Sequence, residues 1–319
     1  MTKKQKALIA MLCCVLFWGF SFISIKVAIA VYPPMTLGFL RFALAAFFFV
    51  LSLFILRLQR RFKRIPNSAI GEKKERIESC DLPLLAGGGL AGDTLYFFFE
   101  NNGVALISAS EASLIVGAIP ALALIVEWIE RKARVLCEAS ASIDEKDAFA
   151  FALWRWIGVL LSIAGVWCVV GTSLATSGDV RGYVFMAGAA AAWVAYCFLT
   201  RPLFKRHSQF FIVFWQTIFG FIGFIPFAIF EIPRWGTPNA GEIGHIVFLG
   251  ICCSALGYWL YNYALEILGV AVSSVFINLV PVVTVAAGYC ILEDRLTPIQ
   301  WAGAVLVVAG VSLAVRSRE

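Results

Sequence analysis

The chain has 319 residues, 61% of them hydrophobic and only 14% charged, with a formal net charge of +6. Soluble domains carry roughly 45–50% apolar and about 25% charged residues. One soluble core could not hide this much apolar surface, so the composition excludes a soluble globular fold and points to an integral membrane protein.

Ten apolar segments follow one another, at about 7–31, 35–56, 82–102, 111–129, 153–171, 182–200, 209–230, 243–264, 270–292 and 299–315. Crossing the hydrocarbon layer takes about 20 residues. The segments are apolar all round rather than amphipathic, and too long and too uniform for barrel strands. Segment 1 starts after Lys3, Lys4 and Lys6. Its Ala28-Ile29-Ala30 stretch looks like a cleavage site, but the apolar run is too long for a signal peptide. It carries Trp18 and Ser21 one turn apart, and Lys26 placed to snorkel at its far end. Segment 2 has Arg41 about two turns inside. Segment 3 has Asp93, Tyr96 and Glu100 at i, i+3, i+7, one face of a regular helix, and then Asn101. Segment 4 opens on Ser108, Ser110 and Glu111, a helix cap with a favourable dipole contact, and contains Pro120. Segment 6 has Trp193 and Tyr196, and segment 7 has Gln216. Segment 8 has Tyr258, Tyr261 and Asn262, and segment 9 has Ser274 and Asn278 ahead of Pro281.

Basic residues set orientation. With the N-terminus inside, the cytoplasmic stretches hold 21 of the 26 Lys and Arg, including those of the connectors 57–81 and 130–155 and none in the short loop 265–269. Arg181, Arg234 and Arg295 lie outside. This is a strong positive-inside pattern with both termini cytoplasmic, and it removes the nucleic-acid reading of the net charge. The nine cysteines contain no CxxC pair, and the chain has two histidines, His207 and His245. Neither a disulfide framework nor a metal site is expected. No HExxH, GxSxG or P-loop is present, so no enzyme chemistry or cofactor is expected.

The chain repeats itself. Trp156, Gly158, Leu161, Ala164, Gly165, Val166 and Val170 match Trp301, Gly303, Leu306, Ala309, Gly310, Val311 and Val315 at an offset of 145. Asn101 and Asn262, and Pro120 and Pro281, are 161 apart, while Trp18 and Trp193, and Arg41 and Gln216, are 175 apart. The expected fold is therefore all-α: ten transmembrane helices as two five-helix repeats, residues 1–175 and 176–319. Five is odd, so the second repeat is inverted, as in many secondary transporters.

Polar groups in hydrocarbon usually face a cavity or a partner. The candidate substrate-binding residues are Trp18, Ser21, Arg41, Asp93, Tyr96, Glu100, Asn101, Trp193, Tyr196, Gln216, Tyr258, Asn262 and Asn278. Arg41 pairs with a substrate carboxylate, with Glu100 or Asp93, or snorkels; Glu100 is a proton-exchanging carboxyl or a structural partner of Arg41.

These residues carry a family resemblance. Phe17-Trp18-Gly19-Phe20-Ser21-Phe22, Leu40-Arg41-Phe42 and the run from Phe99 to Leu106 followed by Ser113 and Pro120 are similar to the EamA-type branch of the drug/metabolite transporter superfamily. So are Pro281, Leu292-Glu293-Asp294-Arg295-Leu296-Thr297 and Gln300-Trp301-Ala302-Gly303. The long connectors 57–81 and 130–155 depart from that pattern. The resemblance implies ten helices in two inverted repeats and export of small metabolites, such as amino acids, or of drug-like compounds across a bacterial inner membrane. The expected partners are a small-molecule substrate and the bilayer, with proton coupling open and a monomer or weak homodimer. A flippase for lipid-linked molecules is the alternative, and a membrane sensor a weaker one.

Overall fold

The computed structural model describes residues 1–63, 77–137, 145–176 and 179–315. Among them the chain is helical without strands. Seven helical stretches are long and apolar enough to cross a membrane, and three shorter apolar helices, Trp156–Gly171, Val280–Leu292 and Pro298–Leu313, accompany them.

The helices are α1 (Lys3–Ile29), α2 (Pro34–Lys63), α3 (Leu82–Gly89), α4 (Tyr96–Leu106), α5 (Ala109–Gly117), α6 (Ile119–Cys137), α7 (Glu145–Thr176), α8 (Val180–Thr200), α9 (Gln209–Glu231), α10 (Ala240–Val247), α11 (Gly257–Ile277), α12 (Val280–Ala287) and α13 (Pro298–Val315). Three π-helical stretches interrupt them. Leu90–Leu95 joins α3 to α4, Phe248–Leu256 joins α10 to α11, and Gly288–Leu292 ends α12. The α5–α6 break falls just before Pro120, which cannot donate to the ladder. The α11–α12 break precedes Pro281 in the same way.

Two expected loops are shorter here. α6 continues to Cys137 and α7 begins at Glu145, so most of the expected 130–155 connector is helical; it is rich in Ala, Glu, Lys, Arg and Leu, which favour helix. The loop expected at 265–269 is absent, because α11 runs on to Ile277. No Pro stops it there, and the chain turns only at Asn278 and Leu279. The 57–81 connector lies largely outside the described residues.

The packing repeats. α1 packs on α11 and α12, while α8 packs on α4 and α5; α2 packs on α9, and α7 packs along α13. Exchanging the first five segments for the last five maps this set of pairs onto itself. The α7–α13 seam shows it at atomic scale. A Cβ on Gly165 would lie 2.6 Å from the Gly303 carbonyl oxygen, and one on Gly310 would lie 2.6 Å from that of Gly158. These glycines are the matched pairs of the 145-residue offset, so one antiparallel contact is made twice. Close backbone approach through small residues is how helices associate in lipid.

Candidate functional site

A cavity of about 120 Å³ lies where the two halves meet. A band of aromatic rings lines it. Trp18 and Tyr258 have centroids 5.6 Å apart, Tyr258 and Trp193 6.3 Å, Trp193 and Tyr96 5.1 Å, and Tyr96 and Phe97 4.8 Å. Ser21, Phe22, Ser113 and both prolines, Pro120 and Pro281, complete much of the wall. Bent segments from both halves thus border the same space.

Two charged side chains enter this wall, Arg41 and Glu100, each 3% exposed. Arg41 donates from Nε to Ser254 Oγ at 2.6 Å, and its guanidinium carbon lies 4.0 Å from the Phe97 ring centroid. A cation over an aromatic face is attracted by the ring quadrupole. Its Nη1 is buried without a hydrogen-bond partner. Glu100 Oε1 accepts from the Tyr96 hydroxyl at 2.7 Å, while Oε2 is buried and unpartnered. No ion pair among the described residues joins Arg41 to Glu100 or Asp93. Nor does Arg41 snorkel, since it is buried. A buried charge with an unused polar atom is costly unless something pairs with it, so both atoms are suited to meeting a polar ligand.

The other expected site residues separate. Trp18, Ser21, Tyr96, Trp193 and Tyr258 line the cavity with Arg41 and Glu100. Asp93 is not part of that lining. It lies in the π-helical stretch Leu90–Leu95, which breaks the i, i+3, i+7 register, and its side chain packs against Gly220 of α9. Tyr196 packs on Trp193 and Gly92 behind the wall, and Gln216 donates to Thr200 Oγ1 at 2.8 Å. Asn101 donates to the Pro34 carbonyl at 2.9 Å. Asn262 borders a separate pocket with Phe49, Phe210 and Trp259, and Asn278 reaches Ser312 at 3.4 Å. Ser254 and Phe97 are additions; nothing in the sequence sets Phe97 apart among 28 phenylalanines.

The repeat reaches into the site. A Cβ on Gly250 would meet Leu44 Cβ at 2.6 Å and the Arg41 carbonyl oxygen at 2.9 Å. A Cβ on Gly89 would meet the Gln216 carbonyl oxygen and Phe219 Cβ. These are the same contacts displaced by 161 and 175 residues. The EamA-like transporter family pattern likewise matches two stretches, residues 5–135 and 180–316. The chain belongs to the EamA-like transporter family.

EamA-like proteins are transporters rather than enzymes, and this one is a multi-pass membrane transporter. An uncharacterized transporter from Archaeoglobus fulgidus is 26% identical over 314 residues, 98% of this chain and all of that one. A probable terminal-alkyne amino-acid exporter from Streptantibioticus cattleyicolor is 24% identical, over 98% and 94% of the two chains. A solved crystal structure at 18% identity covers 97% of this chain and 96% of its own, with a TM-score of 0.62, which shows the fold.

Polar contacts tie the two halves of this EamA-like transporter at both ends. Where α2 begins, Glu231 from the end of α9 accepts from the Thr36 backbone N–H at 2.6 Å and its hydroxyl at 2.8 Å. Trp235 donates to the same hydroxyl at 2.9 Å. Within the first half, Lys26 Nζ donates to the carbonyls of Val104 and Ile107, both at 2.8 Å, satisfying the end of α4. Glu111 takes part in the expected helix cap, which is a capping box with Ser108, and also accepts from Gln300 at 3.0 Å. At the opposite end, Asp81 ahead of α3 accepts from Arg206 at 2.6 Å and contacts His207 Nε2 at 2.8 Å. Glu78, Cys80 and Asp81 bring ligand atoms within 4.8 Å of one another, but Arg206 already contacts Cys80 as well as Asp81.

Proposed function

We propose that this EamA-like transporter is a secondary transporter that exports small metabolites, amino acids foremost, by alternating access through the aromatic cavity. The observation that carries the reading is the pair of buried, unpartnered atoms, Arg41 Nη1 and Glu100 Oε2, bordering one aromatic-lined space. A guanidinium suits a carboxylate, a carboxylate suits an ammonium, and the rings suit an apolar side chain. The amino-acid export named for the Streptantibioticus relative supports it. Two inverted repeats, residues 1–175 and 176–319, rocking about the cavity would supply the access change. The 21 of 26 basic residues on one side support a bacterial inner-membrane protein with cytoplasmic termini. The partners proposed are the small-molecule substrate and the bilayer, in a monomer or weak homodimer, with no nucleic acid. A lipid-linked cargo finds less support in a cavity of about 120 Å³.

The test is counterflow of labelled amino acids in proteoliposomes, with and without a pH gradient. Arg41→Ala is expected to raise the half-saturation concentration about tenfold or more, the loss of a charge-assisted bond. Wild-type liposomes that carry no amino acid would overturn the substrate class. Flux that follows the gradient and loses that dependence in Glu100→Gln would assign proton exchange to this carboxyl; flux indifferent to both would remove proton coupling there.

A further inference from the structure

We infer that Ser254 is a positioning residue that aims the Arg41 guanidinium at the carboxylate of the substrate. This deepens, and rests on, the amino-acid reading of the cavity.

Ser254 is buried, and Arg41 Nε donates to its Oγ at 2.6 Å, the one hydrogen bond of the Arg41 side chain among the described residues. A guanidinium is a planar fork with its five donors fixed relative to one another. Fixing Nε on one edge and holding the guanidinium carbon over the Phe97 ring therefore restricts the directions of Nη1 and Nη2. Without Ser254 the long side chain regains rotamers, and each substrate that binds must re-order it.

The backbone delivers Ser254 to this point. It lies in the π-helical stretch Phe248–Leu256, whose Gly250 lets α2 approach until a Cβ there would nearly touch the Arg41 carbonyl. The preceding residue does similar work: the Cys253 carbonyl accepts the Trp18 indole N–H at 3.0 Å. Two successive residues thus orient two cavity side chains. Such π-helical interruptions recur at functional sites.

The repeat provides an internal comparison. At the 161 and 175 offsets, Ser254 corresponds to Asp93 and Arg41 to Gln216. The backbones pack alike, yet Gln216 bonds Thr200 and Asp93 packs on Gly220. The Arg41–Ser254 bond is therefore not imposed by the repeat scaffold; it joins the first half to the second at one of the two symmetry-related places, the one that bears the cation.

The experiment uses the full chain in proteoliposomes, with labelled L-phenylalanine as substrate and phenethylamine, which lacks the carboxylate, as competitor. Ser254→Ala is expected to raise the half-saturation concentration for phenylalanine about tenfold, leaving maximal counterflow and the inhibition constant of phenethylamine unchanged. Ser254→Thr, which keeps a hydroxyl, is expected to restore the wild-type value. Equal weakening of both compounds, or failure of Thr to rescue, would mean a structural role and overturn the inference. No change in Ser254→Ala, while Arg41→Ala weakens phenylalanine alone, would overturn it and leave the reading of the cavity standing. Indifference of Arg41→Ala, or no phenylalanine flux in the wild type, would overturn both.

Discussion

Lys26 and Asp81 are charged side chains used as joints between segments. Lys26 gives its ammonium donors to two carbonyls at the end of α4. Lys26→Met would leave those buried acceptors unsatisfied, and a loss of about 1–3 kcal/mol is expected, read as earlier thermal unfolding in detergent. Asp81 holds a different joint. The His207 hydrogen bond, and after it Arg206, keep its carboxyl below the usual carboxylate range. A carboxyl depressed by folding stabilises at pH values above its ordinary value, about 4, and the contribution is lost as pH falls through the depressed value. The difference in melting temperature between wild type and Asp81→Asn is therefore expected to be largest near about pH 7 and to shrink as the pH falls below about 4. Sequence showed Arg41 and Glu100 plainly, because charges inside apolar runs stand out. It did not show Ser254, an ordinary serine whose role depends on a neighbour 213 positions away. Lys26 was legible as a span-end cation, but its partners lie on another helix, and only the fold brings them to it.

The elements that shape the site are irregular ones. The stretch Leu90–Leu95 breaks the regular register between Asp93 and the pair Tyr96 and Glu100, and Asp93 packs on Gly220 without lining the cavity. Apolar composition carries no mark of such an insertion, so a regular helical wheel misplaces it. The α7–α13 seam is the opposite case: its glycines were legible as a repeated motif, because matched residues stand in the same order in both halves. That they face each other came from the structure. Gly303→Leu would drive a side chain into the Gly165 carbonyl, 2.7 Å from where a Cβ would sit. The helices must separate, and a loss of about 1–3 kcal/mol is expected, again read by thermal unfolding; the same change at exposed Val305 is expected to be nearly silent.

At the scale of the whole molecule, the two halves share one packing plan but not one chemistry. Trp18 and Trp193 occupy matching places in the cavity wall, whereas Arg41 and Gln216 do not. The architecture was readable from the offsets alone because a repeat needs only order and spacing. The asymmetry was not, because it rests on which hydrogen bond each side chain takes. If the halves are true structural units, separately expressed 1–175 and 176–319 are expected to co-purify from membranes and to regain counterflow; recovery of either half alone would argue that the boundary is misplaced.

The seam between α7 and α13 also bears on how the protein is made. α7 enters the membrane in mid-synthesis, yet α13, the helix that covers its glycine face, is made only after α8 to α12. Until then Gly158, Ser162 and Gly165 lack the α13 residues that pack on them, a shallow groove without its ridge. A chain arrested before residue 298 would expose that groove for as long as it survived, giving membrane proteases and chaperones a means to tell an unfinished transporter from a finished one.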